Sequence, residues 1–553
     1  MFSKFHKIFD AFTKSEREIF QGAAIVLAIS ALLNGVNVFY QETKLAPVKG
    51  GAYTEGLVGQ PTAINPFFSS NGEVDRDLIE LVFSDLAELA SSIKPSGDRK
   101  TWNIELKTGT AWSDGAPLTA DDVIFTIETV KNPEARSPAF QTWQNVAAEK
   151  INEREVRFTL KTPYAFFLES LKNFKIIPEH IFGAIPAANL RISDYNFEPV
   201  GSGPYSFVSY EKRRDGFITQ YTFAANQFFA GSKPLINELR FEFFPNYDEV
   251  VAAFNKKEID GFGGLPPNLI DKIKINHELK EIGIPRYYAI FFNQSIKPAL
   301  KNKEIRRALG LAVNRGKIIS EVFFEKAIPI TGPIYPGIEG YLAPGENASQ
   351  NFSPDSANEI LDSGGWLPEA DGIRAKKIGS ENTRLEFEII VPQIDFLVKA
   401  AEIIKEDWLK IGIALKLNVL SPSEIGNDII RTRNYEMVLF GNILKSTPDI
   451  FSFWHSSERF FPGLNLALYE NKTVDELLES VRKNFSEASR IKELRRIQLN
   501  IAEDLPALFL FSPNYIYVSP KDLGGFNAKS LGTPSNRFDE INKWFLKTAR
   551  VFK

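Results

Sequence analysis

The chain contains no cysteine. That excludes disulfides, thiolate metal sites, a thiol nucleophile and an N-terminal cysteine carrying a lipid. Histidine is scarce. His6, His180, His277 and His455 lie far apart and form no His-x-x-x-His or related cluster, so a histidine-rich metal centre is not expected, and no cofactor is implied. No Gly-x-Ser-x-Gly elbow, no His-Glu-x-x-His and no Ser/His/Asp set in a catalytic context occurs, so the chain does not read as an enzyme. An excess of positive charge is missing too. The formal net charge of -4 leaves no basic footprint for nucleic acid.

Long uncharged apolar runs are absent, with one exception. Gly22 to Leu33 is uncharged and, Ser30 apart, apolar, and with Val36, Val38 and Phe39 it reaches roughly the 20 residues that a membrane-spanning helix needs. Lys4, Lys7, Lys14 and Arg17 precede it, so residues 1–19 are expected on the cytoplasmic side and the rest outside. We read residues 20–40 as an uncleaved single-pass anchor. A cleaved signal peptide and a buried core helix are the alternatives, although no convincing small-x-small site precedes Pro47. Residues 41–51, with Pro47, Gly50 and Gly51, read as a linker.

What remains is ordinary globular sequence. A chain of 553 residues is too long for one core and suggests two or three domains. Its 46 phenylalanines fit large apolar cores or an aromatic-lined cleft, and composition does not separate the two. Strand-like and helix-like stretches alternate through much of it, which argues for an α/β architecture. Tyr287 to Asn293 reads as a buried strand. Lys303 to Arg315 then reads as one amphipathic helix, with Ile305, Leu309 and Ala312 inward and Arg306, Arg307 and Arg315 mostly off that face. Thr119 should cap a helix running to Val130, with Asp121 and Asp122 at its positive end; capping accounts for these acids without catalysis. Residues 77–89 read as another helix. Ser353, Pro354 and Gly364 bracket a further one, and Thr473 with Glu476 reads as a capping box. Pro199-Val-Gly-Ser-Gly-Pro-Tyr205 opens a strand rather than a helix and lacks the P-loop lysine, so nucleotide binding is not expected. His180 has no second ligand nearby and reads as structural.

Several of these strings together resemble family 5 of the bacterial extracellular solute-binding proteins, the oligopeptide and dipeptide receptors of ABC importers. The carriers are Ala111 to Phe125, Ile176-Ile-Pro-Glu-His180, Pro199 to Tyr205, Asn226 to Pro234, Tyr287 to Arg315, the helix ending at Gly365-Trp366, and Gly463 to Leu478. They span roughly residues 52–530 in collinear order.

The resemblance implies a three-lobed, periplasmic-binding-protein-like α/β clamp. Lobe I would comprise residues 52–88, 200–285 and 512–553; an inserted lobe II, residues 89–199; and lobe III, residues 286–511. It also implies a peptide ligand, an ABC permease as membrane partner, and residues 41–553 outside the cytoplasmic membrane; the chain is expected to act as a monomer. Ligand contacts are expected from Ser70 and Asn71 at the loop after the first strand, where Asn71-Gly72 also reads as a plain turn. Further contacts are expected from Tyr287 and from Asn442, Lys445, Asp449, Phe453 and Trp454, where a strand edge meets a Pro-Asp loop and an aromatic cluster. Asp449 is the nearest candidate for the carboxylate that the family's peptide importers set against a ligand ammonium. The alternative is that Lys445 occupies that position, implying a ligand without a free amino terminus or with negative charge. Sugars, metal chelates and a non-transport scaffold or chaperone role stay open, because fold does not fix the ligand.

Overall fold

Side chains alternate across a strand, and the strand Arg286–Phe292 is apolar at every position from Tyr287 on. It is therefore buried on both faces. Tyr287, Ala289 and Phe291 enter one core, and Ile290 and Phe292 enter another. The strand lies inside a mixed six-stranded sheet ordered Ala327–Pro329, Ala507–Pro513, Arg286–Phe292, Met437–Ile443, Glu386–Pro392 and Ala414–Leu420. The last two strands are parallel and joined through the helix Asp395–Leu409. The computed structural model describes residues 12–68, 72–343 and 351–553.

Ile305, Leu309 and Ala312 are buried as their spacing requires. The helix is shorter than expected, however. It spans Lys303–Leu311, and a second helix, Arg315–Phe323, starts afresh because the Asn314 side chain accepts from Lys317 N. Arg306 and Arg315 are also buried, not on an outer face. Arg306 donates to the carbonyls of Leu300, Lys301, Asp504 and Leu505, satisfying chain ends that water cannot reach.

A second sheet builds lobe I. Its seven strands are ordered Glu278–Ile282, Tyr515–Ser519, Gly261–Gly263, Ala52–Val58, Glu238–Phe244, Ile218–Ala225 and Tyr205–Lys212. The helix expected over residues 77–89 is two pieces, Glu73–Val82 and Leu86–Leu89. The break follows from Gly201-Ser202-Gly203. Gly203 N donates to Val82 O at 2.7 Å, Ser202 Oγ accepts from Ser84 N, and a side chain at Gly201 would overlap Val82 O. Lobe II is a four-stranded antiparallel sheet of Ala90–Pro95, Thr101–Leu106, Glu155–Leu160 and Val146–Asn152. Trp102, Ile104 and Leu106 alternate inward beneath the helix Ala120–Lys131, which Thr119 caps as expected. The helix Lys472–Lys483 is capped by Asn471, whose side chain accepts from Thr473 N and Val474 N; this displaces the expected Thr473 box.

The chain crosses between the two large sheets twice. Residues 283–285 link Glu278–Ile282 to Arg286–Phe292, and Asn514 alone links Ala507–Pro513 to Tyr515–Ser519. Both pairs of strands are antiparallel, so the crossings run side by side, with Ser512 Oγ donating to Ile284 O at 3.3 Å.

The helix Lys14–Glu42 has 29 residues, none of them buried, and is long and apolar enough to cross a membrane by length and composition. It runs directly into a strand, Thr43–Val48, inside the stretch read as a linker. That strand pairs antiparallel with Lys547–Phe552 at the C-terminal end. Lys553 N donates to Glu42 O at 2.9 Å, and the Arg550 guanidinium lies 3.9 Å from the Tyr40 ring centroid.

Beneath the lobe I sheet, Arg537 is fully buried between Glu55 and Asp77. Its Nη2 lies 2.7 Å from Glu55 Oε1 and 2.6 Å from Asp77 Oδ2. Tyr517 OH donates to the second Glu55 oxygen at 2.7 Å. Arg537→Met leaves two carboxylates buried without their cation, and should cost about 3–5 kcal/mol in chemical denaturation. A loss under about 1 kcal/mol would mean that both carboxyls refold as neutral acids.

Candidate ligand-binding cleft

Lobes II and III meet along a seam, and the loop carrying Asp449 closes it. Tyr164 OH, from lobe II, donates to Asp449 Oδ2 at 2.7 Å. Arg482 Nε lies 2.9 Å from both Asp449 oxygens. Ala165 N donates to Arg482 O at 2.7 Å, and the guanidinium sits 3.8 Å from the Phe451 ring centroid. The Asp449 side chain is only 8% exposed, so its charge is answered within the protein.

Three cavities flank this seam. One, of about 690 Å³, lies between Trp143 and Tyr164 on one side and Phe451 and Arg482 on the other. A second, of about 540 Å³, lies between Phe166 and the crossing at Gly283 and Pro285. The third, of about 480 Å³, draws on all three lobes: Phe67, Arg76 and Glu80 from lobe I, Trp143 and Lys175 from lobe II, and Lys445 from lobe III, with Arg286 at the crossing. The third is smaller than the others, yet it is where charged side chains converge.

Local structure explains that convergence. Glu73, Arg76, Ile79 and Glu80 share one face of the helix Glu73–Val82 and line the third cavity. Asp77, one turn after Glu73 and beside that face, is held by Arg537, which fixes the helix's rotation. Lys445 follows the strand Met437–Ile443 in the left-handed conformation, φ 54°, which turns the chain at the cavity wall. Lys175 is internally paired, 3.1 Å from Glu80 and 3.4 Å from Asp85. Burial pushes the Asp85 carboxyl up, further than Lys175 offsets, because Glu80 shares the same cation. Glu73, exposed at the cavity rim, is also held up, by the surrounding protein displacing part of its water and then by Asp77. Desolvation, and then the Arg76 guanidinium, hold the Lys445 ammonium below its ordinary value.

Of the candidate ligand contacts that lie among the described residues, Lys445 alone lines the cavity where the three lobes meet. Tyr287 and Asn442 are buried and bonded to each other, Asn442 Nδ2 donating to Tyr287 OH at 2.8 Å. Trp454 is fully buried and Phe453 packs against the same core. Strand alternation puts Tyr287 on the face shared with Ala289 and Phe291, behind the cleft rather than in it. Ser70 and Asn71 lie outside the described residues, but Phe67 and Pro66, just before them, line the cavity. Arg76 and Arg286 were not singled out. Arg76 sits among acids on a helix and reads as solvated surface; nothing local marks either residue. His180 is bonded to Asp114 at 2.8 Å. Among the described residues, no group of three His, Cys, Asp or Glu could hold a metal ion.

The strand Met437–Ile443 pairs with Arg286–Phe292 over all seven residues. On its other side it meets Glu386–Pro392 only at Met437 and Val438, so residues 439–443 have no strand partner there. A half-open strand edge thus leads to Lys445.

The family model described as bacterial extracellular solute-binding proteins, family 5 Middle, matches residues 86–459. The chain belongs to this family. The resemblance drawn from the sequence strings therefore holds, and the family's fold is that of a binding protein rather than an enzyme. Over 518 residues the chain is 26% identical to the oligopeptide-binding protein AppA of Bacillus subtilis, covering 90% of this chain and 92% of that one. The solved structure of AppA, in complex with a nonapeptide, superposes with a TM-score of 0.73, covering 91% of this chain and 100% of that chain. The substrate-binding protein CtaP of Listeria monocytogenes gives 0.76 at 25% identity, covering 90% and 99%. NikZ of Campylobacter jejuni, in complex with Ni(L-His), gives 0.71 at 26% identity, covering 89% and 99%.

If Asp449 acts as a latch between lobes II and III, Tyr164→Phe and Asp449→Asn should be non-additive. A double-mutant cycle read by thermal unfolding is expected to give a coupling of about 0.5–3 kcal/mol. Strict additivity would mean that the contact stabilises nothing.

Proposed function

We propose that this chain is the membrane-anchored receptor of an ABC importer, capturing peptides between lobes I and III outside the cytoplasmic membrane and delivering them to a permease. The observation that carries the peptide reading is the strand edge at residues 439–443, unpaired on one side and ending at the cavity of the three lobes. An extended peptide can add main-chain hydrogen bonds at such an edge while its side chains occupy neighbouring pockets. Family membership and the peptide-bound relative support the same reading. Closure would be a shift between pre-existing open and closed states about the two crossings. The anchoring half rests on the exposed apolar helix Lys14–Glu42.

One observation favours a second reading, a receptor for a non-peptide solute. Asp449 is already paired with Arg482 and is not free to receive a ligand ammonium. Native mass spectrometry of the full chain, extracted in mild detergent without refolding, separates the two. A ladder of retained masses that fragment as peptides is expected. One discrete mass with no peptide fragments would contradict the peptide assignment and leave the receptor reading. Membranes washed with alkaline carbonate should retain the chain; release into the wash would contradict the anchor.

A further inference from the structure

The cavity that holds Lys445 carries more positive charge than its own carboxylates answer. Among the described residues Arg76 has a buried Nε with no hydrogen-bond partner, and so has Arg286, whose one side-chain hydrogen bond there is a 3.5 Å one from Nη2 to Pro513 O. Lys445 makes no hydrogen bond or ion pair among the described residues. The three come from separate parts of the chain and line one cavity.

Elsewhere in the lobes, the chain satisfies its buried guanidinium groups. Arg306 meets four carbonyls. Arg433 meets the carbonyls of Ile430, Arg459 and Gly463. Arg374 meets Asp362, Asn358 and two carbonyls. Arg537 is held by two carboxylates. Arg76 and Arg286 are half-buried and Lys445 is exposed at the cavity wall; closing such cations off from water without a partner is costly, so partnerless cations gathered in a cavity that a solute would fill point to a counter-charge from the solute.

Two of the three carboxylates that line the cavity are committed elsewhere. Glu80 and Asp85 share Lys175, and Lys172 is taken by Glu169 at 2.9 Å. Glu73 alone faces Arg76, Arg286 and Lys445 without an ion pair of its own. Asp449, four residues from Lys445, is occupied by Arg482 and Tyr164.

We propose that the solute taken into this cavity is net anionic, its carboxylates or equivalent oxyanions received by Arg76, Arg286 and Lys445; for a peptide, that means one in which carboxylates outnumber ammonium groups. The proposal deepens the receptor reading and rests on the cleft between the lobes being the ligand site. Arginine suits this task because its planar fork receives a carboxylate in two parallel hydrogen bonds. A cavity lined by one sign of charge also speeds the arrival of the opposite sign, an effect that salt weakens.

The test is calorimetric titration of the full chain in a non-ionic detergent with four probes: tri-glutamate, tri-alanine, tri-lysine and citrate. Tri-glutamate should bind at least ten-fold more tightly than tri-alanine, with tri-lysine weakest, and the gap should narrow as salt is raised. Lys445→Glu should remove the preference. Lys445→Met and Arg76→Gln should each weaken tri-glutamate several-fold and narrow its advantage over tri-alanine. Equal or tighter binding of tri-alanine or tri-lysine would overturn the anionic assignment while the peptide reading stands. Binding of citrate with no tripeptide bound would support the anionic assignment and defeat the peptide reading. No binding by any probe would overturn the proposal. So would a preference kept unchanged in Lys445→Met and Arg76→Gln variants whose melting temperatures match that of the parent chain.

Discussion

Two short crossings govern this molecule. Three residues separate the strands of one crossing and a single asparagine separates those of the other. An extended chain spans at most about 3.3–3.6 Å per residue, so lobes I and III cannot draw apart where they are joined. They can only rotate about that line, opening the cleft at the side away from it. Because both crossings continue strands of the central sheets, the rotation axis is built into the two cores rather than into a flexible linker. Arg286 and Ile284 lie at this axis and line the cavity, so the proposed ligand site and the proposed joint share residues.

The rest of the architecture holds side chains steady around that joint, and buried arginines do much of it. Arg537 ties Glu55 on the lobe I sheet to Asp77 on the helix that presents Arg76. Arg306 gathers four carbonyls from two distant segments, 300–301 and 504–505. Arg482 and Tyr164 close on Asp449 across the seam. Each of these arginines is satisfied by carboxylates or carbonyls, which makes the cations left unpaired at the cleft informative. At the other end of the chain, the pairing of Thr43–Val48 with Lys547–Phe552 makes the join between the apolar helix and lobe I a two-stranded ribbon instead of a loose tether.

What the sequence reveals of this structure is set by the range of the interactions. Thr119 as a cap, the Ser353, Pro354 and Gly364 brackets, and the buried Ile305, Leu309 and Ala312 are decided within one or two helical turns, and all are legible. The doubly buried strand at Tyr287 to Phe292 is legible for the same reason. Partners far along the chain are not. The Asp449–Tyr164 contact joins residues 285 positions apart, and nothing near Asp449 announces it. The strand at residues 43–48 needs a partner about five hundred residues away, so alone it reads as linker. Arg306 and Arg315 read as outer-face charges because periodicity counts polarity and not the carbonyls that a guanidinium can reach. At the cleft, Lys445 could be picked out locally as a departure, whereas Arg76 and Arg286 become visible only when three lobes are assembled around one cavity.

The central claim is that a solute is held between lobes that rotate about the two crossings. The absence of cysteine makes it directly measurable, because two introduced cysteines are then the only labelling sites. Spin labels at Val208 on lobe I and Leu409 on lobe III, 54% and 57% exposed, report the distance between those lobes. Pulsed electron–electron resonance should show a broad distribution in ligand-free protein and a shifted, narrower one with a saturating casein hydrolysate. Identical distributions, under conditions where calorimetry shows the hydrolysate binding, would contradict the account.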